Sequence, residues 1–123
     1  MKRFDVNAMT VAELIQRFAA IGVEQDGALR ADDIQRYNRL CLQMKAIDDE
    51  LKSRPGDQRR SLLSLYDHPN MQVRLMAAKL TLAVAPEAAR RMLQLIYEQR
   101  RQPQSGDAGM CLAMLDRGAF VPE

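Results

Sequence analysis

His68 is the only histidine of the chain, so an imidazole-based metal centre or acid–base pair would have to be built there. A metal site needs further His, Cys or carboxylate ligands at ligand spacing, and none surrounds His68. It stands instead in Asp67-His68-Pro69-Asn70, whose Pro and Asn mark a turn. Cys41 and Cys111 form no C-x-x-C pair and fall on apolar helical stripes, where a free thiol behaves as a small hydrophobe. The acids Asp32-Asp33 and Asp48-Asp49-Glu50 look like carboxylate pairs. Consecutive helical residues point about 100° apart, however, so such neighbours do not share a proton. The first pair suits the opening turn of a helix and the second a solvated face. The chain has no glycine-rich phosphate loop, no G-x-S-x-G and no Cys–His pair with an orienting acid. These residues therefore predict no catalytic, cofactor-binding or metal-ligating set and no small-molecule substrate, and the chain reads as a non-enzyme.

Two groups keep some chemical interest. Tyr37 falls on an apolar stripe with Asn38 at its flank, mid-helix, where Asn is a poor helix former. A hydrogen bond between helices accounts for that placement, and so does a polar contact in a binding groove. The doublets Arg59-Arg60, Arg90-Arg91 and Arg100-Arg101 could meet phosphates. The net charge is only +2, Trp is absent and few aromatics are free for base stacking, all of which weighs against nucleic acid.

The elements that must position these residues are helices. The chain holds 16 Ala and 15 Leu against 13 β-branched residues, a balance that suits helix and not sheet. Thr10-Val11-Ala12-Glu13 is a capping box before the stripe Val11, Leu14, Ile15, Phe18, Ile21, predicting a helix over about 11–26. A second helix starts near Ala31-Asp32-Asp33 with the stripe Ile34, Tyr37, Leu40, Cys41, Met44, Ile47, Leu51, and Pro55-Gly56 ends it. A short helix over about 58–67 is followed by one over about 71–84, capped by Asn70 and apolar almost all round, hence sandwiched. Pro86 opens a helix over about 86–101. A loop through Gln102–Gly106 leads to the last helix, about 107–116, which Gly118 stops.

Six helices with short turns predict an all-α fold, an α–α superhelix in three antiparallel hairpins over about 11–54, 57–84 and 86–117 of a single domain, with a compact six-helix bundle as the alternative. The longest apolar run is far short of the roughly 20 residues that span a bilayer, and Met1-Lys2-Arg3 leads to no apolar signal core. With both cysteines free, a soluble cytoplasmic protein is expected.

The stretch Leu62-Leu63, Asp67-His68-Pro69-Asn70, then Val73-Arg74, Ala77-Ala78 and Leu80 resembles a HEAT-type repeat. In such a repeat small Ala77 and Ala78 let helices approach, and Arg74 reaches the turn at Asp67. The whole chain also looks like a family of small bacterial proteins of unknown function. Asp32-Asp33-Ile34, Tyr37-Asn38-Arg39-Leu40 and Ser105-Gly106-Asp107-Ala108-Gly109-Met110 carry that similarity. It implies an α–α superhelix and no activity.

A short repeat array without chemistry of its own points to a protein-interaction module, including an inhibitor or immunity-type partner of another bacterial protein. A homodimer is a further option and a nucleic-acid binder the alternative. Solenoids bind along the second helix of each hairpin. Once the core stripes are removed, the candidate face comprises Arg39 and Leu42, then Gln72, Leu75 and Lys79, then Met110 and Met114. Methionines there would adapt to varied partners, unless the tail at Phe120 and Val121 covers them. Tyr37, Asn38, Asp67 and Arg74 are expected to be structural, with Arg74 pairing a carboxylate or turn carbonyls near Asp67.

Overall fold

The computed structural model describes residues 5–123, so Met1-Lys2-Arg3 lies outside the described residues. The Thr10 hydroxyl accepts from Glu13 N–H at 3.1 Å, and the Glu13 carboxylate accepts from Thr10 N–H at 2.8 Å. This reciprocal cap opens α1, Val11–Arg30, which runs through Gly27 and beyond the stop expected there. Asp32 then takes a left-handed φ of 55°, and Asp33 accepts from Arg36 N–H to cap α2, Ile34–Ser53. The two acids thus sit before the helix and not within its first turn, because an N-cap carboxylate must stand outside the helix to reach the amide three residues on.

Packing divides the chain into two compact units, one through Ser61 and one from Leu62. In the first, α1 buries Leu14, Phe18, Ile21 and Ala28, and α2 packs against it with Leu40, Met44, Ile47 and Leu51. Burying each large apolar side chain contributes about 1.5–3 kcal/mol. Arg54 ties the preceding segment down. Its guanidinium donates to Val6 O at 3.1 Å, Met9 O at 2.6 Å and Glu50 at 2.8 Å.

Residues Gln58–Asp67, expected as an α-helix, form a ten-residue 3-10 helix instead. Asp57, at φ 50°, grips the Arg59 guanidinium with both carboxylate oxygens at 2.7–3.2 Å, and Arg59 is buried.

The second unit contains α3, Met71–Leu80, α4, Pro86–Glu98, and α5, Gln104–Asp116. Asn70 caps α3 as expected, accepting from the Gln72 and Val73 amides. The helix stops at Leu80, four residues early, where the Thr81 hydroxyl turns back to Ala77 O at 2.8 Å and meets the Tyr66 hydroxyl at 2.6 Å. Leu75, Ala78, Leu82, Ala89, Leu93, Ile96, Ala108 and Cys111 form the core of this unit. The second hairpin was expected to pair two helices within 57–84. Instead α3 rests mainly on α4 and α5, its apolar circumference fitting it for two neighbours at once. The helix α5 begins at Gln104, inside the expected loop. The Ser105 hydroxyl locks that first turn by donating to Ile96 O at 2.7 Å and accepting from Arg101 N–H at 2.7 Å. Among the described residues there is no strand, and no helix is long and apolar enough to cross a membrane.

Candidate protein-binding surfaces

The inner face of α2 is consumed by the core, so its outer ridge is set by geometry. At about 100° per residue, Ile34, Asn38, Leu42, Lys45 and Asp49 share the side opposite Leu40, Met44, Ile47 and Leu51. Arg39 is exposed beside them, and Leu42 is 70% exposed. Ile34, expected in the buried stripe, is 66% exposed. The sequence carried the signal for this: Ile34 lies about 110° around the helix from the centre of that stripe. Asn38 is exposed and makes no side-chain hydrogen bond to any described residue, which overturns its expected structural role. It faces solvent because its position, four residues from both Ile34 and Leu42, belongs to the outer ridge. Tyr37 is half-buried beside Ala28 and Leu29, in a small cleft of about 50 Å³ at the α1–α2 turn. Lys45 and Asp49 form an exposed pair at 3.2 Å.

The row expected to be the wet side of α3 is not wet. Leu75 is 1% and Gln72 2% exposed, and the Gln72 side-chain oxygen accepts from the Gln104 amide at 3.0 Å. Lys79 is half-buried and bonds Asp107 at 3.0 and 3.3 Å. These three side chains hold α3 to α5, so Gln72 and Leu75 drop out of the candidate face. An almost uniformly apolar helix carries too little polar contrast for the sequence to say which side a neighbour covers. On α5, Met110 is 62% exposed, while Met114 is half-buried and its sulfur accepts from Arg117 at 3.0 Å. The tail does not cover Met110; Ala119 and Phe120 instead return their amides to Met114 O.

The remaining polar residues mostly serve the fold. Arg74 donates to His68 O at 2.8 Å and to Pro69 O at 3.4 Å, reaching turn carbonyls and no carboxylate; Asp67 is exposed. His68 accepts the Asn70 amide on Nδ1 at 3.0 Å, so the histidine stabilises the α3 entry turn. Burial pushes the pKa of the Cys111 thiol up, which favours its protonated form. Among the described residues no three His, Cys, Asp or Glu side chains come together as a metal-binding group. Arg90 pairs with Asp116 at 3.0 Å. Asp48, expected on a solvated face, is half-buried with one oxygen lacking a hydrogen-bond partner. Desolvation raises its pKa against the opposing pull of the Arg59 guanidinium.

Two clefts open on the second unit. One, of about 320 Å³, is lined by Tyr97, Glu98, Arg100, Gln102, Ser105 and Gly106. The other, of about 370 Å³, lies among Leu82, Pro86, Leu115 and the tail residues Phe120 and Val121. The Tyr97 ring lies so close to Gly109 that a Cβ there would come within 2.7 Å of it.

The model of a family described as "Domain of unknown function (DUF2019)" matches residues 12–116, from the first turn of α1 to the end of α5. The chain belongs to the DUF2019 family. Its helices also superpose on the crystal structure of the protein RPA1889 from Rhodopseudomonas palustris CGA009 with a TM-score of 0.95. The two sequences are 56% identical over 97% of this chain and 98% of that one. No curated protein matches the chain. The similarity to small bacterial proteins of unknown function is thus met by a DUF2019 match that runs through all five α-helices.

Proposed function

We propose that this DUF2019 chain is a non-enzymatic protein-interaction module of the cytoplasm that binds through the outer ridge of α2. The observation that carries this is the pair Ile34 and Leu42, 66% and 70% exposed on a helix whose other face already fills a core. Large aliphatic side chains on one exposed ridge gain nothing for the fold, whereas a partner that covers them removes their surface from water. Arg39, which forms no ion pair among the described residues, gives that ridge a cationic edge. The HEAT-like reading of the stretch from Leu62 to Leu80 belongs with this proposal. It is supported by the Arg74 bonds to the turn and by the buried Val73, Ala77 and Ala78.

Affinity capture from the source organism tests the role, comparing wild type with Ile34→Glu/Leu42→Glu after matching their melting curves. Loss of a captured protein from the double variant supports the role, and identical captured sets refute it. Nucleic acid in the wild-type eluate that survives the double substitution would favour the alternative.

A further inference from the structure

From the same ridge we infer a partner: a second copy of this chain, docked antiparallel along α2 about a two-fold axis at Asn38. The inference rests on the protein-interaction role and specifies its occupant. Three residues that the fold leaves unused, Ile34, Asn38 and Leu42, follow one another at intervals of four along the helix. Ile34 and Leu42 therefore lie about 6 Å to either side of Asn38 along the axis, at 1.5 Å per residue. A two-fold axis through Asn38 places each Ile34 on the second copy's Leu42 and each Asn38 on its own equivalent. Interfaces of this isologous kind must be self-complementary in that way. Two carboxamides facing each other can each donate to and accept from the other, which gives Asn38 the partner it lacks.

Charge selects the antiparallel direction. Lys45 lies about 10 Å from the axis, and the turn that carries Asp32 and Asp33 lies on the opposite side, just beyond Ile34. Antiparallel docking brings each Lys45, which stays exposed although it pairs with Asp49, to the second copy's α1–α2 turn, where Asp32 and Asp33 are exposed. Parallel docking would set Lys45 against Lys45 and Asp49 against Asp49, like charges at every turn. Covering four aliphatic side chains makes a small interface, so the dimer is weak and depends on concentration.

Sedimentation equilibrium over a range of chain concentrations, with engineered cysteines, tests the pairing. The wild type should associate to a dimer. Leu42→Glu, which alters two contacts per dimer, should weaken association by at least about tenfold while leaving the melting curve unchanged. Under mild oxidation Asn38→Cys should form an interchain disulfide, since the axis passes through that residue. Ser53→Cys, exposed on the same helix but far from the axis, should not, and the wild type with its native Cys41 and Cys111 is the blank. A wild type that stays monomeric throughout, or Ser53→Cys cross-linking as readily as Asn38→Cys, overturns the inference. If the chain is monomeric but Leu42→Glu loses a captured protein, self-pairing fails and the interaction role survives; if capture is also unchanged, both fail.

Discussion

Replacing Gln72 by Ala removes the acceptor of a buried hydrogen bond and leaves the Gln104 amide without it. Both side chains are nearly inaccessible, at 2% and 6%, and their contact is 3.0 Å, a full hydrogen bond. An unsatisfied buried donor costs about 1–3 kcal/mol. The one methylene lost from a closed site adds about 1 kcal/mol more. A total of about 2–4 kcal/mol in a chain of this size lowers the unfolding midpoint by roughly 6–15 °C. Gln72→Leu/Gln104→Leu removes both polar ends together and should recover much of the loss, because neither amide is then left buried and unpaired. Urea denaturation followed by circular dichroism, across the two single leucine variants and the double, gives the coupling, expected near about 1–2 kcal/mol. An exposed glutamine would behave otherwise, changing stability by no more than about 0.5 kcal/mol. A silent Gln72→Ala, or leucine substitutions that simply add, would refute the burial of this pair and restore Gln72 to the surface.

Arg74→Ala should cost about 1–3 kcal/mol, since its guanidinium holds the His68 and Pro69 carbonyls, and Arg74→Lys should recover part of this in a thermal melt. Arg54→Ala should leave the α1–α2 core folded but release the segment around Val6–Met9. Hydrogen exchange should then rise at those amides and stay unchanged at Met44 and Ile47 in the interior of α2. Asp48→Asn should raise the unfolding midpoint at pH 7 by a few degrees. The folded carboxyl titrates above its ordinary 3.8, so the protonated form favours the fold and that stability is lost as pH rises through the folded pKa. The gain from the neutral amide must therefore shrink as pH falls through the folded pKa and be gone below 3.8, and melts that differ equally at acidic and neutral pH would contradict it.

The features that could be read from the residues alone are local ones. The capping box at Thr10 and Glu13, the Asn70 cap and the Pro86 start each join residues within one turn, and all three stand where the spacing placed them. The helical character of the chain was equally legible, because propensity and apolar period act over short windows. Which faces are covered came from packing between helices. Gln72 and Leu75 became internal because other helices lie over them, and the Gln104 amide met its buried acceptor only once α3 and α5 packed together. Asn38 and Ile34 went the other way. Their angle around α2 already sets both off the centre of the core stripe, and packing against α1 decided that this side stays uncovered. Asp48 shows the same limit for charge, since its neighbours in sequence suggested a solvated face and its burial comes from packing. A helix carries its period in its own residues, but the direction it faces depends on neighbours that are far away in the sequence.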